Sequence, residues 1–528
     1  MSTPARDGGG GHALLVAAGI FLSRIFGLVR TKVVAYYFGL GDEKDAFAAA
    51  LRIPNLLQNL FGEGALSASF IPVYAGLLAR HDEEEAHRVA GAIFALLALV
   101  TAVLVLLGLL LAPQLVDLLT PGFEGDKRLL TIHLVRIVFP GAGLLVLSAW
   151  CLGILNSHRR FLLPYAAPVI WNVAIIAALV AGGARQLALP ELAAWAAWGA
   201  VAGSALQFGV QLPAALRFAR GLRLSLGRAS AHVRTVLRNF GPALVSRGAA
   251  QISGYVDLAV ASALPARAVG ALTDAQAIYM LPVSLFGVSI SAAELPAMSS
   301  VTGTDAEIAG ALRARIAAAA RRVSYFVVPS AAAFLTLGDQ IAAVVLQGGE
   351  FGAADSRYVW AVLAGSAVGL LAATLARLLS SSFYALRDTR TPLYFALARI
   401  SLGIALGIPA ALWLPGALGI DRQWGAALLT LASGVAGWVE FALLRRAISR
   451  RIGGTDVGAG LLARLWGTAL VAAAVAWGAK LLVATPWPQL TAIIVLGVFG
   501  VTYLALTTAL GIGDTAALVG RLRRRAGR

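Results

Sequence analysis

Asp45, Arg52, Asn59 and Glu63 lie in one apolar stretch, spaced so that a helix turning about 100° per residue brings them within about 40° of one another. Such a stripe cannot face acyl chains, so it faces a neighbouring helix or a water-filled cavity. Just upstream, Arg24, Arg30 and Lys32 interrupt another apolar stretch. An arginine at the centre of a membrane span costs roughly 2.5–3.5 kcal/mol on insertion scales, so its presence needs a reason. A guanidinium stays charged at physiological pH and offers a planar fork of donors that grips phosphate with two hydrogen bonds. Arg24, Arg30 and Arg52, with Asp45, Asn59 and Glu63, are therefore candidates to hold an anionic headgroup. The competing reading pairs Arg52 with Asp45 or Glu63 and makes it a packing residue, and Lys32 reads best as a snorkelling side chain. Arg30 has no carboxylate at helical spacing.

Further along, Arg247, Asp257, Glu294, Arg377, Arg399 and Glu440 also fall within apolar stretches, too scattered to form one stripe. Asp257 is an isolated carboxylate at depth, suited to Na⁺ or a proton; the alternative is a salt bridge to Arg247 or to a neighbouring span. Catalytic patterns are missing. The single cysteine, Cys151, cannot make an internal disulfide, and the six histidines form neither an HExxH motif nor a metal-binding cluster. No P-loop occurs. The expectation is a protein that is not an enzyme and holds no cofactor, with Na⁺ or H⁺ as a coupling ion.

The elements that position these residues follow from composition. Of 528 residues, 59% are hydrophobic and only 13% charged, far from the balance of water-soluble chains. At about 20 apolar residues per span, the chain divides into about fourteen transmembrane helices, an all-α integral membrane protein. The N-terminus has no A-x-A cleavage site, so no removable signal peptide is expected. The net charge of +17 is concentrated in alternate loops, from Arg80 and Arg88 through Arg159 and Arg160 to the tail RLRRRAGR. Alternation of this kind places both termini in the cytoplasm and turns the excess charge towards anionic lipids, not nucleic acid.

An internal repeat sets the organisation. Ser23-Arg24 is followed 48 residues after the arginine by Pro72, through LFGEGALSASFIP; Ser246-Arg247 is followed after 49 by Pro296, through LFGVSISAAELP. Two six-span halves follow, residues 1–225 and 226–452, with a C-terminal helix pair and basic tail over 453–528. Paired halves commonly enclose a midplane site and rock about it.

The run SRIFGLVRTKVVAYYFGLGDEKDAF, continued by LRIPNLLQNLFGEGALSASFIPVY, resembles the start of the MurJ (MviN) family of lipid II flippases within the MOP exporter superfamily. TPGFEGDKR, LNSHRRFLLPYAAPVIWN, QGGEFGAADS and FYALRDTRTPLYFALARI follow in family order. The resemblance implies a fourteen-helix flippase of a polyprenyl-pyrophosphate glycolipid, with two six-helix lobes around a central cavity and two C-terminal helices that help to form a groove for the polyprenyl tail. It implies that cavity arginines engage the pyrophosphate, with Arg24, Arg30 and Glu63 at functional cavity positions and Asp45 at the acidic head of the second span. Asp257 matches the family's carboxylate in span seven. Departures stand beside these matches: Gln58 and Asn59 replace a frequent basic pair, Gln276 and Ala277 replace an Asp-Arg pair, and Gly403 and Gly407 occupy polar positions of span eleven. Arg52 and Arg247 are the residues that could compensate. The leading expectation is a bacterial inner-membrane lipid flippase serving peptidoglycan synthesis and cell shape. The alternatives are a cation-coupled exporter of a soluble solute, a transport-deficient paralogue and, disfavoured by short outer loops, a membrane glycosyltransferase.

Overall fold

The computed structural model describes residues 8–219, 221, 230–265, 267–454, 458–483 and 485–512; the side chains of 8–17, Glu63, Ala243, Val245, Ser246, Arg247, Ala249 and Ala250 lie outside the described set. The described chain is helical throughout, with one isolated bridge, Gly348 to Phe351, and no strand. By length and composition ten described helices can cross a membrane, or eleven when the bent pair Ala353–Val368 and Leu370–Ala385 is taken as one span. The fourteen expected from sequence are reached only by adding Gly8–Phe38, Leu189–Phe218 and Ala231–Ser262. The last of these carries Arg247, Gln251 and Asp257 in its middle, which lowers its apolar character.

Packing divides the chain into two compact units, Met1–Val269 and Gly270–Arg528. Unit 1 holds α1 (Gly8–Phe38), α2 (Asp42–Phe61), α3 (Glu63–Ala79), α4 (Glu83–Leu110), α5 (Ala112–Leu119), α6 (Gly125–Ser157), α7 (Leu162–Ala166), α8 (Pro168–Ala184), α9 (Leu189–Phe218) and α10 (Ala231–Ser262). Helix α6 is its axis and contributes to both cores. One core gathers Phe47, Leu134, Ile175, Leu179 and Leu192 from α2, α6, α8 and α9. The other gathers Phe70, Tyr74, Ile93, Trp150 and Ile154 from α3, α4 and α6. The buried Trp150 indole donates to the Ala90 carbonyl at 3.1 Å, so its N–H is not lost to the apolar interior.

The sequence repeat places α10 in the second half, at the boundary 225/226; packing places it with α1–α9. Val233 and Val236 enter the α3–α4–α6 core, and the Phe61 and Phe240 rings meet at 5.8 Å. At the other end of α10, the Gly122 N–H donates to Ser262 Oγ at 3.2 Å. A Cβ at Gly122 would sit 2.2 Å from the Ser262 carbonyl, so only glycine permits that approach.

Helices α2 and α3 form one 38-residue span, broken at Gly62, where a Cβ would lie 2.2 Å from the Gln58 carbonyl. The break falls at this one glycine, while Pro54 stays inside α2.

Unit 2 holds α11 (Ala268–Pro282), α12 (Ser289–Ser299), α13 (Asp305–Val345), α14 (Ala353–Val368), α15 (Leu370–Ala385), α16 (Arg390–Leu412), α17 (Leu414–Leu418), α18 (Gly425–Ile452), α19 (Ala459–Leu482) and α20 (Pro488–Ala509). A π-helical turn, Val283–Val288, joins α11 to α12. Helices α14 and α15 bend by 42° at Gly369, against Gly434 of α18: a Cβ on Gly369 would lie 2.5 Å from the Gly434 Cα. The Trp438 indole donates to the Val368 carbonyl at 2.8 Å, supplying a partner at the break. The C-terminal pair is anchored through Tyr503, which donates to the Tyr325 carbonyl at 2.8 Å, and through Lys480, which pairs with Asp339 at 2.5 Å.

Candidate functional site

The polar stripe of α2 resolves into two parts with different partners. At the head of the helix Asp45 is 1% exposed. Its carboxylate accepts from Lys127 Nζ at 2.7 Å and from the Arg267 backbone N–H at 3.1 Å. Lys127 also pairs with Asp42 at 3.0 Å and lies over the Phe123 ring. Arg267 has a φ of 92°, a strained conformation for a side-chain-bearing residue, and its bond to Asp45 helps to hold it there. Sequence reasoning grouped Asp45 with the headgroup candidates; in this structure its carboxylate serves the protein's own cations and backbone.

About two to four turns further along, the stripe meets α10. Asn59 Nδ2 donates to Gln251 Oε1 at 3.2 Å, and the Tyr255 hydroxyl donates to the Arg52 carbonyl at 3.1 Å. The Arg52 guanidinium reaches the α10 backbone because residue 254 is glycine: a Cβ there would stand 2.6 Å from Arg52 Nη2. The charges of Arg52 and Asp257 are close enough to interact. Of the two options left by sequence, neighbouring helix or cavity, the described part of the stripe takes the neighbouring helix. Among the described residues, the carboxylate in electrostatic reach of Arg52 is Asp257 on α10, while Asp45 is turned to Lys127. Glu63 and Arg247 lie on α3 and α10, and their side chains are outside the described residues.

Arg30 differs from both groups. It is half-buried on α1, its guanidinium lies over the Trp171 ring of α8 at 4.8 Å, and no carboxylate among the described residues pairs with it. A cation over an indole face is worth about 0.5–2 kcal/mol, and the stack itself occupies none of the N–H donors at the guanidinium edge. Arg24, nearly two turns earlier on α1, is exposed. Lys32 is half-buried on the same helix. No group of His, Cys, Asp and Glu among the described residues is arranged to hold a metal ion.

Several partners escaped sequence reasoning. Trp171 stands in the quoted block LNSHRRFLLPYAAPVIWN with no role assigned to it, and Gln251, Gly254 and Tyr255 carry no motif; they matter because α8 and α10 pack beside α1 and α2. In unit 2 the scattered charges also converge: Arg399 Nε pairs with Glu440 at 2.9 Å, and Arg377 lies within electrostatic reach of Glu440, Tyr279 and Tyr384. These residues come from α11, α15, α16 and α18, so no single helical wheel displays them. Glu294 is shared between Arg315 at 3.5 Å and Arg322 at 3.8 Å.

The sequence and the fold can be set beside known proteins. A family model described as lipid II flippase MurJ matches residues 34–499. A probable lipid II flippase MurJ of Rhizobium tropici is 32% identical over 502 residues, covering 93% of this chain and 89% of that protein. The lipid II flippase MurJ of Burkholderia cenocepacia is 32% identical over 450 residues, covering 83% and 84%. Among solved structures, a lipid II flippase MurJ in an inward closed conformation aligns over 94% of this chain and 98% of its own, with a TM-score of 0.79 at 23% identity. An inward-facing MATE multidrug transporter of the MOP superfamily aligns over 83% and 98%, with a TM-score of 0.64 at 16% identity, a likeness of fold alone. With the model match spanning most of the chain and relatives near one-third identity over nearly all of it, this multi-span helical membrane protein belongs to the lipid II flippase MurJ family.

Proposed function

We propose that this protein moves lipid II, or a closely related polyprenyl-pyrophosphate glycolipid, from the inner to the outer leaflet of a bacterial cytoplasmic membrane by alternating access. Family membership supports the substrate class. The observation that carries the reading in this chain is Arg30: a half-buried guanidinium in a membrane helix, seated on Trp171, with no described carboxylate against it. A cation kept in that setting with no counter-ion among the described residues suits an anionic group that arrives and leaves, and the fork geometry suits phosphate. Arg24 supplies a second, exposed cation on the same helix. Arg52 and Asn59 hold α2 against α10, and through that contact they set the position of the stripe relative to α1. Arg247 and Glu63 join the site by their place in the repeat and the family pattern.

Both termini lie in the cytoplasm in this reading, with the arginine-rich loops against anionic headgroups. Asp257, beside Arg52, is the candidate seat of a coupling Na⁺ or proton, with no other cofactor required. The two transport halves are 1–225 and 226–452, and residues 453–528 serve the lipid tail. The extra helix pair favours a lipid over a soluble solute, which needs no tail groove. The test is complementation: cells depleted of their own lipid II flippase should grow when this chain is supplied. A chain that reaches the membrane yet leaves them dying would refute the substrate assignment.

A further inference from the structure

The seat of Arg30 is built from a residue that neither the stripe nor the repeat marks. Trp171 lies in the first turn of α8, and its ring packs against the α2–α6–α8–α9 core. Its backbone is clamped by α9, since a Cβ at Gly203 would come within 2.9 Å of the Trp171 Cα. Helix α1 is held along the same side at two further places. A Cβ at Gly19 would meet Tyr165 Cβ at 2.8 Å, and a Cβ at Gly183 of α8 would meet the Tyr37 ring at 2.2 Å. Arg30 stands between these two close approaches, so neither the indole nor the helix opposite it has room to drift. The Trp171 Nε1–H is buried and has no hydrogen-bond acceptor among the described residues, in contrast to the satisfied indoles of Trp150, Trp360 and Trp438.

A buried donor without an acceptor is costly, and a native structure that keeps one invites an explanation. A carboxylate opposite Arg30 would fix the guanidinium too, but it would occupy the fork and repel a phosphate. An indole face fixes the plane of the group through its quadrupole and occupies no N–H. We propose that Trp171 is the positioning residue of the anion site. Its π face orients the Arg30 fork without neutralising it, and its orphan Nε1–H is a second donor for a phosphate oxygen that reaches the guanidinium. The proposal rests on the reading of Arg30 as a pyrophosphate contact and names the device that keeps that contact available.

The experiment separates the two. The full-length protein in lipid nanodiscs is titrated with a polyprenyl pyrophosphate and with the uncharged polyprenol of equal chain length; the ratio of their affinities isolates the anion's contribution. Wild type should prefer the pyrophosphate and Arg30→Gln should lose that preference. A wild type with no preference overturns the anion site itself, and the role of Trp171 with it. Given a wild-type preference, Trp171→Leu, which removes the ring, should reduce it about tenfold, as expected for loss of a desolvated cation–π contact. Trp171→Phe keeps a ring but loses the N–H, and should reduce it only about threefold, the scale of one modest hydrogen bond. Affinity for the polyprenol should stay unchanged in both, which a merely structural role for Trp171 would not produce. Trp171→Met serves as the ring-free variant if Trp171→Leu does not accumulate in the membrane. A ring-free variant with the wild-type ratio overturns the proposal, as does an equal loss of affinity for both lipids.

Discussion

Arg30 and Arg52 are the same residue type in neighbouring spans, and their surroundings assign them different work. Arg52 is committed to α10, with its fork against Gly254 and its charge beside Asp257. Arg30 is held by an aromatic face and keeps its donors. Arg30→Lys should therefore impair lipid translocation substantially although the charge is retained, because an ammonium lacks the planar fork. Arg30→Ala should impair it at least as much, with membrane levels of both variants equal to wild type. Gly254→Val should act on Arg52 instead, since even a Cβ at that position collides with Nη2. The expected result is a loss of stability of about 1–3 kcal/mol, the usual range for an overpacked site, read as a lower thermal midpoint in detergent. The α2 stripe was visible in sequence because all of its members ride one helix with one period. Trp171 and Tyr255 were not, because a contact between helices distant in sequence leaves no spacing to read.

At the level of elements, buried polar pairs tie helix ends together. Asp45, nearly inaccessible, joins the head of α2 to Lys127 on α6 and to the backbone that follows α10. Removing one partner of a buried ion pair costs up to about 3–5 kcal/mol; here Lys127 keeps Asp42, while the Arg267 N–H loses the Asp45 acceptor. Asp45→Ala should thus lower the unfolding midpoint strongly, whereas Asp45→Asn, which keeps an acceptor for the Arg267 N–H, should lower it less. Comparison of the two midpoints checks the assignment. Between α15 and α16, Asp388 accepts from the Thr391 N–H at 3.0 Å, the Thr391 hydroxyl at 2.7 Å and Arg451 at 2.6 Å. These donors, the Thr391 N–H foremost, pull its carboxyl down to about 2. A depressed carboxyl contributes stability above its unfolded-state value of about 3.9, and that contribution fades as pH falls through the folded-state value. The gap in thermal midpoint between wild type and Asp388→Asn should be full near neutrality and close as pH is lowered towards about 2. The sequence showed Lys127 only within TPGFEGDKR and Asp388 only within FYALRDTRTPLYFALARI. The anchoring role of each depends on a partner at the end of another helix, Asp45 on α2 and Arg451 on α18.

For the whole molecule, hydropathy was enough to identify a multi-span bundle, and one quoted block of sequence was enough to identify the family. Span number was harder to read, for a physical reason: Gly62 and Gly369 break helices inside spans, and Arg247, Gln251 and Asp257 make α10 polar where a span should be apolar. The repeat placed α10 in the second half, while its side chains pack with the first; a repeat in sequence and the division of packing are separate properties. The proposed orientation rests on the alternating arginines: reporters fused after Arg528 and near Arg223 should read cytoplasmic, with one near Gly349 reading external. An external reading after Arg528 would overturn the even span count.

Lipid II exposed on the outer leaflet is the direct product of the proposed reaction, and its amount can be measured with a membrane-impermeant reagent in cells depleted of their own flippase. Supplying this chain should restore the exposed pool to near the undepleted level, while Arg30→Gln, inserted in equal amount, should leave the lipid inside. An exposed pool that stays at the depleted level with the wild-type chain present in the membrane would contradict lipid II translocation by this protein.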